Sequence, residues 1–330
     1  MKVPDEVLKI ADDIKYMRIR GAGKIARAAA QALKIAAEKY SGPSDVESFK
    51  KYMGKVADIL ISTRPTAVSL PNAVLYVMFS LEKTSGNVSE LKKAVVEAAE
   101  EFIRESLMAL EKISEYGARR IKDDAVVLTH CHSTASVSVI VKAYKMGKIK
   151  RVYSTETRPF YQGRITTRQL LENGVPVIQI PDSAVRLIMH EVDQVVIGAD
   201  TIASNGAVIN KIGTSQIALA AHEARVRVFV AAETYKFSPM TVFGELVSIE
   251  FRDPTEIVPR EWINDHPNVE VLNPAFDVTP PEYIDALITE IGVIPPQAAI
   301  LVLMERMGWA LEKIKLGRLD KIKLEDLIEE

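Results

Sequence analysis

Near Asp124 the chain changes rhythm, and that change constrains its fold more than any other feature of the sequence. Before it, from Pro4 to about Gly117, apolar residues recur at three- and four-residue spacing, as in Val7-Ile10-Ile14 and Phe102-Leu107-Leu110-Ile113, among Ala, Lys and Glu. That spacing gathers them on one face of a 3.6-residue turn and predicts a run of amphipathic helices. After it come short β-branched runs, Ala125 to Thr129, Arg151 to Ser154, Val175 to Ile180, Gln194 to Ile197 and Val226 to Val230, separated by helical stretches. Strands that alternate with helices pair in parallel, and runs apolar on both faces belong to a sheet covered on both sides. The expected fold class is α/β: an all-helical N-terminal domain over 1–120, then over 121–330 a Rossmann-like doubly wound parallel sheet with a C-terminal helical tail. The tail opens at Pro295-Pro296, runs as a helix from Ala298 to Met307 and continues as a charged amphipathic stretch to Glu330. In such sheets ligands sit outside the carboxyl ends of the strands.

A chain of 330 residues, 48% of them hydrophobic, can bury a sizeable core in two such domains. Forty-two basic residues stand against 44 acidic ones, both signs mixed along the chain, for a formal net charge of -2. Neither nucleic acid nor an acidic membrane is therefore an expected partner. No apolar run reaches the roughly 18 to 20 residues of a membrane span; the nearest, around Ala298 to Met304, is far too short. The single cysteine, Cys131, cannot form a disulfide within the chain, and no charged-then-apolar leader opens it, so the expected location is the cytoplasm.

That cysteine lies in Leu128-Thr129-His130-Cys131-His132-Ser133-Thr134-Ala135-Ser136, where the first strand ends and a helix begins. Unpaired N–H groups and the helix dipole at such a place favour a thiolate and also hold phosphate. Cys131 is thus a candidate proton acceptor, and the backbone of Ser133, Thr134 and Ala135 a candidate phosphate cradle; a lone cysteine is equally a small buried hydrophobe. His130 and His132 flank it, but successive strand residues point to opposite faces, and no partner with metal-ligand spacing occurs elsewhere. No metal and no other cofactor is expected; a Cys-His nucleophile pair stays open.

In Val195-Val196-Ile197-Gly198-Ala199-Asp200-Thr201 an apolar strand ends in a carboxyl group that should face the ligand crevice. Among apolar neighbours Asp200 is expected to stay protonated and to donate a proton; the alternative is a turn or N-cap residue. Asn210 and Lys211 follow, at what reads as the next helix start, where they hold a phosphate or cap the helix. Further cations sit in loops: Arg20 and Lys24 around Gly21-Ala22-Gly23, Arg64 before Pro65, Arg158 and Arg164 around Pro159 and Gly163, and Lys236. Each alone is an ordinary surface charge, but a cation beside glycines that let backbone approach closely suits phosphate recognition. Gly21-Ala22-Gly23 is no dinucleotide fingerprint, lacking the preceding strand and the third glycine.

Taken together, Arg20-Gly21-Ala22-Gly23, Arg64-Pro65-Thr66-Ala67, Glu156-Thr157-Arg158-Pro159 with Gln162-Gly163-Arg164, Gly198-Ala199-Asp200 and Asn210-Lys211-Ile212-Gly213-Thr214 resemble one family from about Arg20 to Pro295. It contains methylthioribose-1-phosphate isomerases, archaeal ribose-1,5-bisphosphate isomerases and the alpha, beta and delta regulatory subunits of the exchange factor for eukaryotic translation initiation factor 2. The resemblance implies an aldose-ketose sugar-phosphate isomerase, since catalytic members carry the cysteine and aspartate present here as Cys131 and Asp200, whereas regulatory subunits typically lack the pair. It implies substrate contacts at Arg20, Gly21, Ala22, Gly23, Arg64, Ser133, Thr134, Ala135, Asn210, Lys211 and Lys236, and a helical domain that acts as a lid. Lys236 stands where methylthioribose isomerases usually have a small uncharged stretch, so a sugar bisphosphate is the expected substrate, a methylthio sugar phosphate and a non-catalytic regulatory role being the alternatives. Regulatory subunits also tend to carry a lysine there, so Lys236 separates the two enzymes but not enzyme from regulator. A homo-oligomer, either a dimer or a hexamer built from dimers, is implied as well, and, for an enzyme of nucleotide salvage, a nucleotide effector.

Overall fold

The computed structural model describes residues 2–64 and 68–315, with side chains through 308. Pro65, Thr66 and Ala67, and the charged stretch expected from 316 on, lie outside the described residues. Two compact units emerge: one from the chain up to Ala109, Tyr235–Met240 and the chain from Leu303, the other from Leu110–Thr234 and Thr241–Val302.

The first unit is helical, as the three- and four-residue spacing predicts: α1 (Asp5–Lys15), α2 (Ala22–Glu38), α3 (Val46–Thr63), α4 (Ser69–Lys83) and the first part of α5 (Val88–Arg120). Val7 and Ile14 bury one face of α1, and Ala26, Ala29, Ala30, Leu33, Ala36 and Ala37 bury one face of α2. The small alanines let α4 approach α2 closely, while Phe49, Met53 and Leu60 of α3 fill the remaining volume. Asp45 caps α3, its carboxylate accepting from the Ser48 N–H at 2.7 Å. On α5 the buried stripe runs Phe102, Ser106, Ala109, Ile113, a stricter helical period than the one read from sequence, and it leaves Leu107 54% exposed. Tyr235–Met240 is tied into this unit: Asn72 Nδ2 donates to the carbonyls of Tyr235 and Phe237 at 2.8 and 2.9 Å, and Phe237 is fully buried.

The second unit alternates strands and helices: β1 (Ala125–Thr129), α6 (Thr134–Lys145), β2 (Ile149–Thr155), α7 (Gly163–Glu172), β3 (Val177–Ile180), α8 (Val185–Ile188), β4 (Gln194–Gly198), β5 (Thr201–Ile202), β6 (Val208–Lys211), α9 (Thr214–Glu223), β7 (Arg227–Ala231), α10 (Arg260–Asp265), β8 (Phe276–Thr279), β9 (Ala286–Thr289), β10 (Gly292–Ile294) and α11 (Ala299–Lys315). Seven strands form one sheet in the order β10-β9-β7-β4-β1-β2-β3, parallel throughout except for the β9–β10 pair. Every residue of β1 and β4 is buried, as their unbroken apolar runs require, whereas β3 at the edge leaves Ile178 exposed. A small antiparallel sheet, β5-β6-β8, is an addition the sequence pattern does not announce. It corrects one expectation: Asn210 and Lys211 end strand β6, paired with Asp277 and Phe276, and helix α9 starts only at Thr214, after Gly213 turns the chain at φ 101°.

Gly117 fixes how closely α5 approaches α6, because a Cβ there would lie 2.5 Å from Val139 Cγ2. Val139 is fully buried and β-branched, so it cannot swing aside, and the overpacking outweighs the roughly 1 kcal/mol of helix propensity that alanine gains. Gly117→Ala is expected to cost about 1 kcal/mol net, read as a lowered midpoint in thermal denaturation.

Candidate active site

In the large sheet β1 lies between β2 and β4, so the chain leaves β1 toward one edge and builds β4, β7 and β9 toward the other. The crevice outside the carboxyl ends of β1 and β4 is therefore a topological switch point, the usual ligand site of such sheets. Cys131 follows the end of β1, and Asp200 follows the end of β4. The Asp200 N–H donates to the Ile209 carbonyl at 3.0 Å, which ties it to β6, and β6 ends in Lys211. Cys131, Asp200 and Lys211 lie near enough for each to bear on the others' charge. The structure thus unites three sequence candidates from distant parts of the chain.

Cys131 stands in the turn between β1 and α6, with a left-handed backbone (φ 61°) that is uncommon for a residue with a side chain. Its N–H donates to Thr157 Oγ1 at 2.9 Å, and its carbonyl accepts from Thr166 Oγ1 at 2.7 Å. Ser133 is the N-cap of α6, its hydroxyl accepting from the Ser136 N–H at 3.3 Å. By helix geometry the N–H groups of Thr134 and Ala135 have no acceptor within α6, while the Ala135 side chain joins the core. Gly198 permits this arrangement, since a Cβ there would meet Ser133 Oγ at 2.3 Å.

In the resting site the surroundings work against the expected thiolate. Burial pushes the Cys131 thiol up to about 11; the Lys211 ammonium pulls the other way, the Asp200 carboxylate adds to the rise, the His132 N–H favours the thiolate, and Asp182 opposes it. The reason is position: Cys131 precedes the N-cap rather than standing in the first turn of α6, so the helix terminus counts for less than desolvation. Burial likewise lowers Lys211, against the pull of Cys131 and Asp200 toward its charged form. Its Nζ lies 4.8 Å from the centre of the Phe276 ring.

His130 is wholly buried and neutral, burial holding it below the ordinary imidazole range. Its Nε2 lies 3.0 Å from the Ile212 carbonyl, which can only accept, so that nitrogen carries the proton, and Nδ1 accepts from Thr155 Oγ1 at 2.6 Å. Both ring nitrogens are committed to protein partners. Among the described residues no group of three or more His, Cys, Asp or Glu is disposed to hold a metal ion.

The remaining candidates fall elsewhere. Arg20 and Arg64 meet at Met17 in the helical unit: Arg20 Nε donates to the Met17 carbonyl at 2.7 Å, and Arg64 Nη1 lies 2.6 Å from Met17 Sδ. Gly21, at φ 90°, starts α2, placing Ala22 and Gly23 in its first turn. Lys236 belongs to the same unit and is buried. Asn210 Nδ2 donates to Thr214 Oγ1 at 3.0 Å, so it braces the turn into α9. Arg158 and Arg164 gather around Tyr161, Arg164 stacked 3.9 Å above its ring.

Sequence reasoning missed Thr166, Asp182 and Asp277, which no local pattern marks, and named Thr157 only as part of a motif. Asp182 accepts from the N–H groups of Thr157 and Arg158 at 2.8 and 2.7 Å. Asp277 Oδ2 accepts from Gly213 and Ser215 N–H at 2.8 and 3.1 Å, fixing the turn that follows Lys211. Burial nevertheless raises Asp277 to about 6, the two N–H bonds opposing the rise. A carboxyl raised on folding binds its proton more tightly in the folded state, so its contribution is full below the ordinary 3.8 and is lost as pH climbs to about 6. The unfolding free energy of the unaltered chain relative to Asp277→Asn should therefore fall between those values and stay flat above them, as denaturant titrations at several pH values will read.

The model of the initiation factor 2 subunit family matches residues 18–296. A ribose 1,5-bisphosphate isomerase of Thermococcus kodakarensis is 55% identical over 316 residues, covering 94% of this chain and 98% of that protein. A methylthioribose-1-phosphate isomerase of Acetivibrio thermocellus is 39% identical, covering 88% of each. The crystal structure of a 5-methylthioribose 1-phosphate isomerase from Pyrococcus horikoshii superposes with a TM-score of 0.75 at 32% identity, covering 91% of this chain and 88% of that one. With its strand-end cysteine and aspartate set at the switch point of a fold these proteins share, the chain belongs to the initiation factor 2 subunit family.

Proposed function

We propose that the chain is an aldose-ketose isomerase that converts α-ribose 1,5-bisphosphate into ribulose 1,5-bisphosphate. The observation that carries this reading is the juxtaposition of Cys131, Asp200 and Lys211 at the β1–β4 switch point. The higher identity to a bisphosphate isomerase than to a methylthioribose isomerase sets the substrate.

A sugar phosphorylated at its anomeric oxygen is a locked acetal, so acid must reach the ring oxygen before the ring opens. Asp200 gives its proton to that oxygen, which becomes the C4 hydroxyl. Cys131 thiolate takes the C2 proton, leaving an enol phosphate. The enol hydroxyl then returns a proton to Asp200, the Cys131 thiol delivers its proton to C1, and the 2-ketose results. Electrons move from C2 to C1 within one molecule, so the balance calls for no external oxidant or reductant.

The thiol, pushed up to about 11 by burial, resists ionisation, so the cycle must generate the thiolate within the complex. Thiol with aspartate anion, and thiolate with neutral aspartic acid, differ only in where one proton sits and have equal net charge. Moving that proton from Cys131 to Asp200 creates base and acid together, and Lys211 favours the thiolate once the Asp200 anion is gone. The candidates for the phosphates are Arg20, Gly21, Ala22, Gly23, Arg64, Ser133, Thr134, Ala135, Asn210, Lys211 and Lys236, cations and free N–H groups being what a dianion requires. We place the enzyme in the cytoplasm, in nucleoside monophosphate degradation, as a homo-oligomer, either a dimer or a hexamer built from dimers, open to a nucleotide effector. Among the described residues no helix is long and apolar enough to cross a membrane.

The first test follows the anomeric proton of α-ribose 1,5-bisphosphate by NMR. The unaltered chain should consume it, and Cys131→Ser and Asp200→Asn should each slow turnover by at least about a thousandfold, as expected for loss of a proton-transfer group. Turnover of methylthioribose 1-phosphate alone would replace the substrate, and inertness toward both sugars with a translation factor bound would favour the regulatory role. A second test is Lys236→Ala: loss of one charge-assisted contact should raise KM for the bisphosphate about 10- to 100-fold and leave a monophosphate analogue unaffected.

A further inference from the structure

The left-handed Cys131 residue is held from both sides by hydroxyl groups that the chemistry itself does not use. Thr157 and Thr166 are fully buried, one accepting from the Cys131 N–H and the other donating to the Cys131 carbonyl. Each is itself fixed. The Thr157 N–H donates to Asp182, with Thr157 also left-handed at φ 60°. Thr166 sits on α7, and its one hydroxyl proton goes to Cys131, so at 3.1 Å it accepts from His132 Nδ1.

The bonds on the Thr157 side form an ordered chain. The Ile212 carbonyl forces the proton of neutral His130 onto Nε2; Nδ1 must then accept from Thr155, and Thr155 in turn accepts from Thr157 at 3.4 Å. Every hydroxyl proton is used once, in one direction, from the Cys131 amide to the carbonyl next to Lys211. The turn that carries the thiol is thereby tied to the turn that carries the ammonium. A side chain in an unfavoured backbone region persists only where its surroundings over-determine it, and such residues cluster at sites where position matters.

We propose that Thr157 and Thr166 are positioning residues that lock the Cys131 peptide so that its Sγ stands where the C2 proton of the sugar phosphate is taken. The inference rests on the proposed isomerase function. Valine has the shape of threonine without the hydroxyl, and serine keeps the hydroxyl, so each position offers a matched pair. The groups facing Sγ are Lys211, Asp200, Asp182 and the His132 N–H, all untouched by these substitutions.

Two readouts then move in opposite directions. Thr157→Val and Thr166→Val, tested separately, should lower kcat at least tenfold with KM altered less than threefold. Freed from its hydrogen-bonded turn, the only cysteine should react with iodoacetamide at least threefold faster at pH 8 in the absence of substrate, its pH–rate profile moving down toward an ordinary thiol. Thr157→Ser and Thr166→Ser should restore both quantities to within about threefold. A structural role alone would lower the melting temperature and the active fraction without this reversal, and serine would not single out the hydroxyl. Folded valine variants with unchanged kcat and unchanged alkylation overturn the proposal, as does serine that fails to rescue. Should the unaltered chain turn over no sugar phosphate, the proposed function fails, while the alkylation comparison still decides whether the hydroxyls hold Cys131. If one valine variant does not fold, the other decides, because the two act on opposite sides of the peptide through different elements.

Discussion

The parallel pairing of β1 with β4 is the constraint on which the site depends. Val127 faces Gln194 and Leu128 faces Val195 in that pair, so the two strands end side by side although the segments are far apart in sequence. Both are buried along their whole length, and a slip in register would misplace every side chain after them. Gln194 reinforces the register from below: its side chain accepts from the Lys122 N–H at 2.8 Å and donates to the Arg120 carbonyl at 3.0 Å. Cys131 and Asp200 stand on short turns past the strand ends, and the hydrophobic sheet places the turns.

How much of this was legible in the sequence follows from how each element is stabilised. β1 was read to the residue, and β4 within one, because fully buried strands are unbroken apolar runs. The helical rhythm before Asp124 was equally plain, though the stripe on α5 passes through Ser106 and Ala109 rather than Leu107, since a polar hydroxyl that contacts Tyr235 Oη at 3.1 Å can sit on a buried face. The sheet β5-β6-β8 leaves no trace, its strands being two to four residues long and β8 joining β6 from far along the chain. That is why Asn210 and Lys211 read in the sequence as a helix start, and why no local pattern marks Asp277, which braces the turn after them.

The same holds within the site. Cys131 and Asp200 were legible because strand ends are, and because the motifs around them resemble those of catalytic relatives. The protonation of Cys131 is not, since it depends on neighbours that only folding supplies: Lys211 from β6 and Asp182 after β3. Thr157 and Thr166 illustrate the limit further. A threonine in a strand-end loop or on a short helix carries no signal of its own, and only the fold aims both at one peptide group.

Burial of the thiol also bears on why a phosphate-binding site would be lined with cations. Low dielectric raises the cost of a lone thiolate, but it strengthens the attraction between that thiolate and Lys211 by the same means. A phosphate dianion brought near Sγ adds repulsion to the burial that already opposes ionisation. On the proposed reaction, the thiolate therefore forms in the complex only if cations and oriented N–H groups neutralise the phosphates while a proton acceptor, Asp200 in that proposal, stands by. On that reaction, phosphate recognition and proton abstraction become one electrostatic problem, because the buried Lys211 feels the charge of both Cys131 and Asp200.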